Sequence, residues 1–110
     1  VVMCCLLAAD IQFDQNSPVP NPNNTPNTVQ GSGTYTLNQG ENIISIRFYA
    51  RNTKTGQDFV NFADTNKQNK TWNKELMVFP GTYECWAVML VSKGNIWWFE
   101  HTDKRIVQVK

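Results

Sequence analysis

The chain has one histidine, His101, three cysteines and a formal net charge of only +1. A lone histidine beside scattered cysteines offers no metal-ligand spacing, so no metal or cofactor site is expected. A near-neutral balance argues against nucleic acid, whose binding needs a basic face that displaces counterions. Charged residues make up 17% of the chain, a low share of the kind found in secreted β-domains. Helix formers are scarce, while Asn, Thr and Gln are abundant, which favours strands and turns. The longest apolar run, Val1–Ala9, is far short of the roughly 20 residues of a spanning helix, so no membrane span is expected. Asp58, Asp64, Glu75, Glu84 and Glu100 fall on turns and strand faces, with no pair fixed by spacing as an acid–base couple. His101 has no nucleophile elbow to serve. No catalytic residue is expected, and the chain does not read as an enzyme.

What is present is enough for one domain: 110 residues, 41% of them hydrophobic. The stretch Pro80–Ser92 organises it. After a Pro-Gly turn, Tyr83, Cys85, Ala87, Met89 and Val91 alternate with Trp86, Val88 and Leu90. Period 2 predicts a strand, and two apolar faces predict a central one. Lys93-Gly94-Asn95 turns the chain, Ile96–His101 returns, Thr102–Lys104 interrupts, and Arg105–Val109 resumes, the pattern of a bulged edge strand.

Upstream, Val29–Leu37 places Val29, Gly31, Gly33, Tyr35 and Leu37 on one face, its glycines predicting a bulge or a close backbone approach. Asn42–Arg51 turns Ile44, Ile46, Phe48 and Ala50 one way and Ser45, Arg47, Tyr49 and Arg51 the other. Gln57–Ala63 is a shorter strand after a loop that ends in Gly56. Asp64–Lys70 is polar and turn-rich. Thr71–Phe79 points Trp72, Leu76 and Val78 inward, and Lys74 breaks its pattern, which predicts a bulge or an edge there. Ala9–Phe13 reads as a short strand. The count is about seven strands, with turns at the spacing of an antiparallel sandwich.

The first 28 residues are different material. Val1–Ala9 fits the tail of an export signal, a first strand, or an apolar arm for a neighbouring subunit. The segment 15–28 holds four prolines and reads as an extended linker, so 1–14 is the arm or first strand and 29–110 the sandwich. Adjacent Cys4 and Cys5 do not bond each other without strain. Either one reaching Cys85, or another chain, stays open, and an odd count leaves a free thiol or an intermolecular bond. Asn69-Lys70-Thr71 and Asn23-Asn24-Thr25 match the glycosylation acceptor pattern, which arises often by chance in so Asn/Thr-rich a chain.

Gly81-Thr82-Tyr83-Glu84-Cys85 resembles the start of strand F in immunoglobulin-like domains, and the hairpin over 82–109 is similar to the F–G hairpin of bacterial immunoglobulin-like and fibronectin type III-like modules. The resemblance implies an all-β, antiparallel immunoglobulin-like sandwich in which the Tyr83 hydroxyl bonds back to the backbone and Cys85 points into the core. Two family features are missing: Val29–Leu37 has no cysteine to pair with Cys85, and Asn42–Arg51 offers Ile46 or Phe48 where the family has a core tryptophan. Cys85 is therefore expected to be a small buried hydrophobe.

The expected function is a non-catalytic, secreted or cell-surface module of a bacterial protein, for self-assembly into a surface fibre or for adhesion. Self-association would run through the N-terminal arm, with Leu6, Leu7, Ile11 and Phe13 adding a strand to a neighbour. Trp86, Trp97, Trp98 and Phe99 form the candidate binding surface; as a platform for sugar rings they make a carbohydrate-binding module the first alternative. A decoration domain on a phage particle is the second.

Overall fold

The computed structural model describes residues 9–21 and 27–110. Cys4, Cys5, Leu6, Leu7 and Asn23-Asn24-Thr25 lie outside the described residues. Ten strands follow one another: β1 (Asp10–Phe13), β2 (Val19–Pro20), β3 (Thr28–Thr36), β4 (Asn42–Asn52), β5 (Asp58–Phe62), β6 (Asp64–Asn66), β7 (Thr71–Met77), β8 (Gly81–Lys93), β9 (Ile96–His101) and β10 (Arg105–Val109). They form two antiparallel sheets packed as a sandwich. The first has the order β1-β3-β7-β6, with β2 also on the β1 side of β3. The second has the order β10-β8-β4-β5, with β9 also on the β10 side of β8.

Period-2 alternation drives this arrangement, because each strand turns one parity of residues into the shared core. From β8 the core takes Tyr83, Cys85, Ala87, Met89 and Val91, and from β4 it takes Ile46, Phe48 and Ala50. The first sheet contributes Ile11, Phe13, Val29, Tyr35, Trp72 and Leu76. Phe13, Phe48 and Trp72 meet at its centre, with ring centroids 5.7–6.3 Å apart. The Trp72 indole N–H donates to the Gln12 carbonyl at 3.3 Å, so the ring is buried without an orphaned donor.

The glycines of β3 mark the predicted close approach. A Cβ at Gly31 would stand 2.6 Å from the Phe48 ring, and one at Gly33 would collide with the Gln12 carbonyl of β1. Lys74 lies opposite Gly31 in an unbroken register, so there is no bulge on β7. It is at an edge instead, because β6 pairs only with Thr71–Asn73.

Two details differ from expectation. Ile44 does not face the core: the register of β4 against β8 shifts between Ile43 and Ser45, and this bulge turns Ile44 out to solvent while Ile43 packs inward. Ten strands replace about seven, because β6 forms within the polar stretch 64–70, β2 pairs inside the proline-rich segment, and the last strand divides into β9 and β10. β2 sits at the margin of β3, where a proline's missing donor costs no ladder bond.

The division of the last strand has a visible cause. Three residues, Thr102–Lys104, stand against two, Trp86 and Ala87, between the registers of β9 and β10. Thr102 holds the gap closed. Its N–H donates to the Ala87 carbonyl at 3.0 Å, and its hydroxyl accepts from the Ala87 N–H at 3.0 Å. The β8 ladder thus stays satisfied where the chain bulges away.

At the corner before β8 the Tyr83 hydroxyl donates to the Phe79 carbonyl at 2.8 Å. Cys85 is a free thiol in the core, and burial, with Glu84 adding to it, pushes its pKa up to about 12. Arg105 ties the β1–β2 connection down. Its guanidinium donates to the Asp14 and Ser17 carbonyls at 2.9 and 2.7 Å and lies 4.9 Å from the Phe13 ring centroid.

Candidate interaction surface

The outward parity of each sheet is free of core duty, so what it carries reports what it meets. On the first sheet it carries Gln12, Gln30, Ser32, Thr34, Asn73 and Glu75, with Met77 and Val19 as the exposed apolar exceptions. On the second sheet it carries Val60 and Phe62 from β5, Arg47 and Tyr49 from β4, Val88 and Leu90 from β8, and Trp97 and Phe99 from β9. Register sets these side by side. Phe62, Arg47, Val88 and His101 make one row; Val60, Tyr49 and Trp86 make the next; Leu90 lies opposite Phe99, and Ser92 opposite Trp97.

The four aromatics of the hairpin have different situations. Trp97 and Phe99 are 62% and 64% exposed. Trp98 points to the other side, packs against the core and donates its indole N–H to Glu100 at 3.0 Å. Trp86 is on the outward parity but only 9% exposed. Tyr49 stacks against it with centroids 5.0 Å apart, and Arg51 and Lys104 lie 5.2 and 4.8 Å from its ring centroid. Phe62 likewise has the Arg47 guanidinium 5.0 Å from its centroid. Among the described residues no cation covers Trp97 or Phe99, so these two rings are the most open part of the face.

Ile11 and Phe13 are placed elsewhere. Both are buried in the core of their own chain, and β1 pairs with β3 from Asp10↔Thr36 to Phe13↔Gly33. The position that an added strand would fill beside β3 is occupied by β1 itself. Leu6 and Leu7 lie outside the described residues.

Sequence reasoning missed the breadth of the apolar face. Val60, Phe62, Val88 and Leu90 belong to it, as does the extruded Ile44, which with Arg47, Phe62 and Leu90 lines an open groove of about 530 Å³. The available signal was the double-faced apolar character of β8. A central strand needs a core on one side only, and apolar residues on its second face call for a further partner.

Charge chemistry on the face is modest. Arg51 and Asp58 pair at 2.7 and 3.0 Å, which holds the Asp58 carboxyl below its ordinary pKa and raises that of Arg51. His101 places Nδ1 2.9 Å from the Thr102 carbonyl. Among the described residues no group of three His, Cys, Asp or Glu side chains converges as a metal site, and no helix is long and apolar enough to cross a membrane. No protein-family model matches the chain, and no curated protein matches it in sequence.

Proposed function

We propose that the chain is a non-catalytic, extracellular immunoglobulin-like module of self-assembly and adhesion that makes its contacts through the outer side of the second sheet. The observation that carries the reading is the asymmetry of the two outer faces: one polar, the other aromatic and aliphatic across β5, β4, β8 and β9. Exposed apolar surface concentrated on one face is what a contact surface needs and what an isolated domain avoids. The immunoglobulin-like part is supported by the strand order of the two sheets and by the Tyr83 hydroxyl bond made two residues before Cys85. The contact moves from the N-terminal arm to this face because Ile11 and Phe13 already fill their own core. Sedimentation over a wide concentration range tests the reading. Self-association is expected, weakened by Trp97→Ser with Phe99→Ser. A species that stays monomeric at millimolar concentration would overturn it.

Carbohydrate binding is a second reading, favoured by Trp97 and Phe99 alone, two open rings of one parity on one strand. Its test is quenching of tryptophan fluorescence across a polysaccharide panel, lost in Trp97→Ala.

A further inference from the structure

We infer that β9 pairs with β9 of a second copy, antiparallel about a two-fold axis at Trp98, so that two second sheets become one continuous sheet. The inference rests on the self-association reading and names the contact that carries it.

The first ground is the backbone. Ile96 lies opposite Lys93 across the two-residue Gly94-Asn95 turn, and the Thr102 N–H bonds to the Ala87 carbonyl at 3.0 Å. In an antiparallel ladder these two pairs set the alternation between them. Ile96, Trp98 and Glu100 direct their main-chain groups to β8, while Trp97, Phe99 and His101 direct theirs away. Among the described residues, nothing hydrogen-bonds to the main chain of Trp97 or Phe99 on that outer side.

The second ground is that four other strands at sheet margins carry protection that, among the described residues, the Ile96–Phe99 run of β9 lacks. β2 ends in Pro20, and β6 is three polar residues. On β5 the Phe62 N–H is taken by the Asn61 side chain at 2.8 Å, and Asp58 is paired with Arg51. Beside β10, Arg105 binds the 14–17 segment. The run Ile96–Phe99 of β9 has no charge and no proline. Charges, prolines and very short strands are the usual means by which an edge avoids pairing, and of these β9 has only Glu100, whose carboxylate accepts from the Trp98 indole.

The third ground is self-complementarity. With the axis at Trp98, Trp97 faces Phe99 of the partner subunit, and the two-fold repeats the pair. Both residues have outward main-chain groups, so each pair exchanges both N–H···O bonds. Both side chains are on the outer face, so the most open rings of one copy meet those of the other. Leu90, next to Phe99, then joins its counterpart in one apolar surface. Such an isologous contact closes at two copies.

Two kinds of variant test this by sedimentation equilibrium, with circular dichroism reporting the fold. Phe99→Pro removes an outward N–H and no bond to β8, so the domain should remain folded while association weakens at least tenfold. Trp97→Lys with Phe99→Lys sets like charges opposite each other; Trp97→Lys with Phe99→Glu loses the same rings but sets opposite charges together. The second pair should associate at least tenfold more tightly than the first at low salt. A wild-type chain that stays monomeric overturns self-association and this contact together. Association that survives Phe99→Pro and ignores the charge pattern overturns the edge contact alone and leaves the outer face as the assembly surface.

Discussion

The two sheets are alike on the inside and unlike on the outside. Both give one parity of residues to a common core, and that core fixes Trp72 as firmly as Tyr83. The other parity is under no such demand. On the first sheet it is Gln, Ser, Thr, Asn and Glu, the residues that water favours. On the second it is Val60, Phe62, Leu90, Trp97 and Phe99. Burial within one chain explains the inner residues and cannot explain these. Exposed apolar side chains add nothing to the folded monomer and carry a risk of aggregation, so their concentration on one face points to contact.

The largest expected effect sets the same residue type inside and outside. Trp72→Ala should cost about 3–5 kcal/mol, since it empties the space between Phe13 and Phe48. Trp97→Ala should change stability by under about 0.5 kcal/mol, because the ring is open to solvent. Urea unfolding of dilute protein measures both. Similar losses in the two variants would mean that Trp97 is packed within its own chain, and the contrast between the faces would collapse.

The Cys85 thiol gives a core-specific dependence on pH. Its pKa is about 12 in the folded chain and ordinary, about 9.0, in the unfolded one. Below about 9.0 the thiol is mostly protonated in both states, and its contribution to stability is present. As pH rises from there towards 12, ionisation favours only the unfolded chain, and stability falls by up to about 1.4 kcal/mol per unit. The stability advantage of wild type over Cys85→Ala should therefore shrink by about 1.4 kcal/mol between pH 8 and 10. An advantage that stays constant would show a thiol in contact with water.

Tyr83→Phe isolates the corner bond to the Phe79 carbonyl, leaving ring packing in place. Equilibrium unfolding should show a loss of about 1 kcal/mol. A loss near zero would mean that the carbonyl is equally well served by water at the corner.

How much of this was legible in the sequence follows the same inside–outside division. β3, β4, β7 and β8 were readable because a sandwich core imposes period 2, and the Tyr83 corner was readable because a short motif carries it. The bulge that extrudes Ile44 was not, since a run of Ile43, Ile44 and Ile46 is compatible with either parity. β6 was hidden because its three polar residues resemble a turn and take their pairing from β7. The candidate surface was half visible. Trp97 and Phe99 stand out as neighbours on one strand, but the shielding of Trp86 by Tyr49, Arg51 and Lys104 depends on strands far apart in sequence. Period alone cannot tell which apolar face of β8 is core and which is exposed.

The smallest expected effect is also the sharpest on what the outer faces are for. Met77 on the first sheet and Phe99 on the second are both exposed apolar residues, each at 64%. Met77→Thr and Phe99→Thr should each alter monomer stability by within about 0.5 kcal/mol, because neither side chain is buried. They should separate in sedimentation. Met77 stands among polar neighbours, and its loss should leave association unchanged. Phe99 lies opposite Leu90 and on the same strand as Trp97, and its loss should weaken association severalfold. Equal behaviour of the two variants would mean that the apolar face is exposed for some purpose other than self-contact, and the open rings of Trp97 and Phe99 would then direct the search towards sugars.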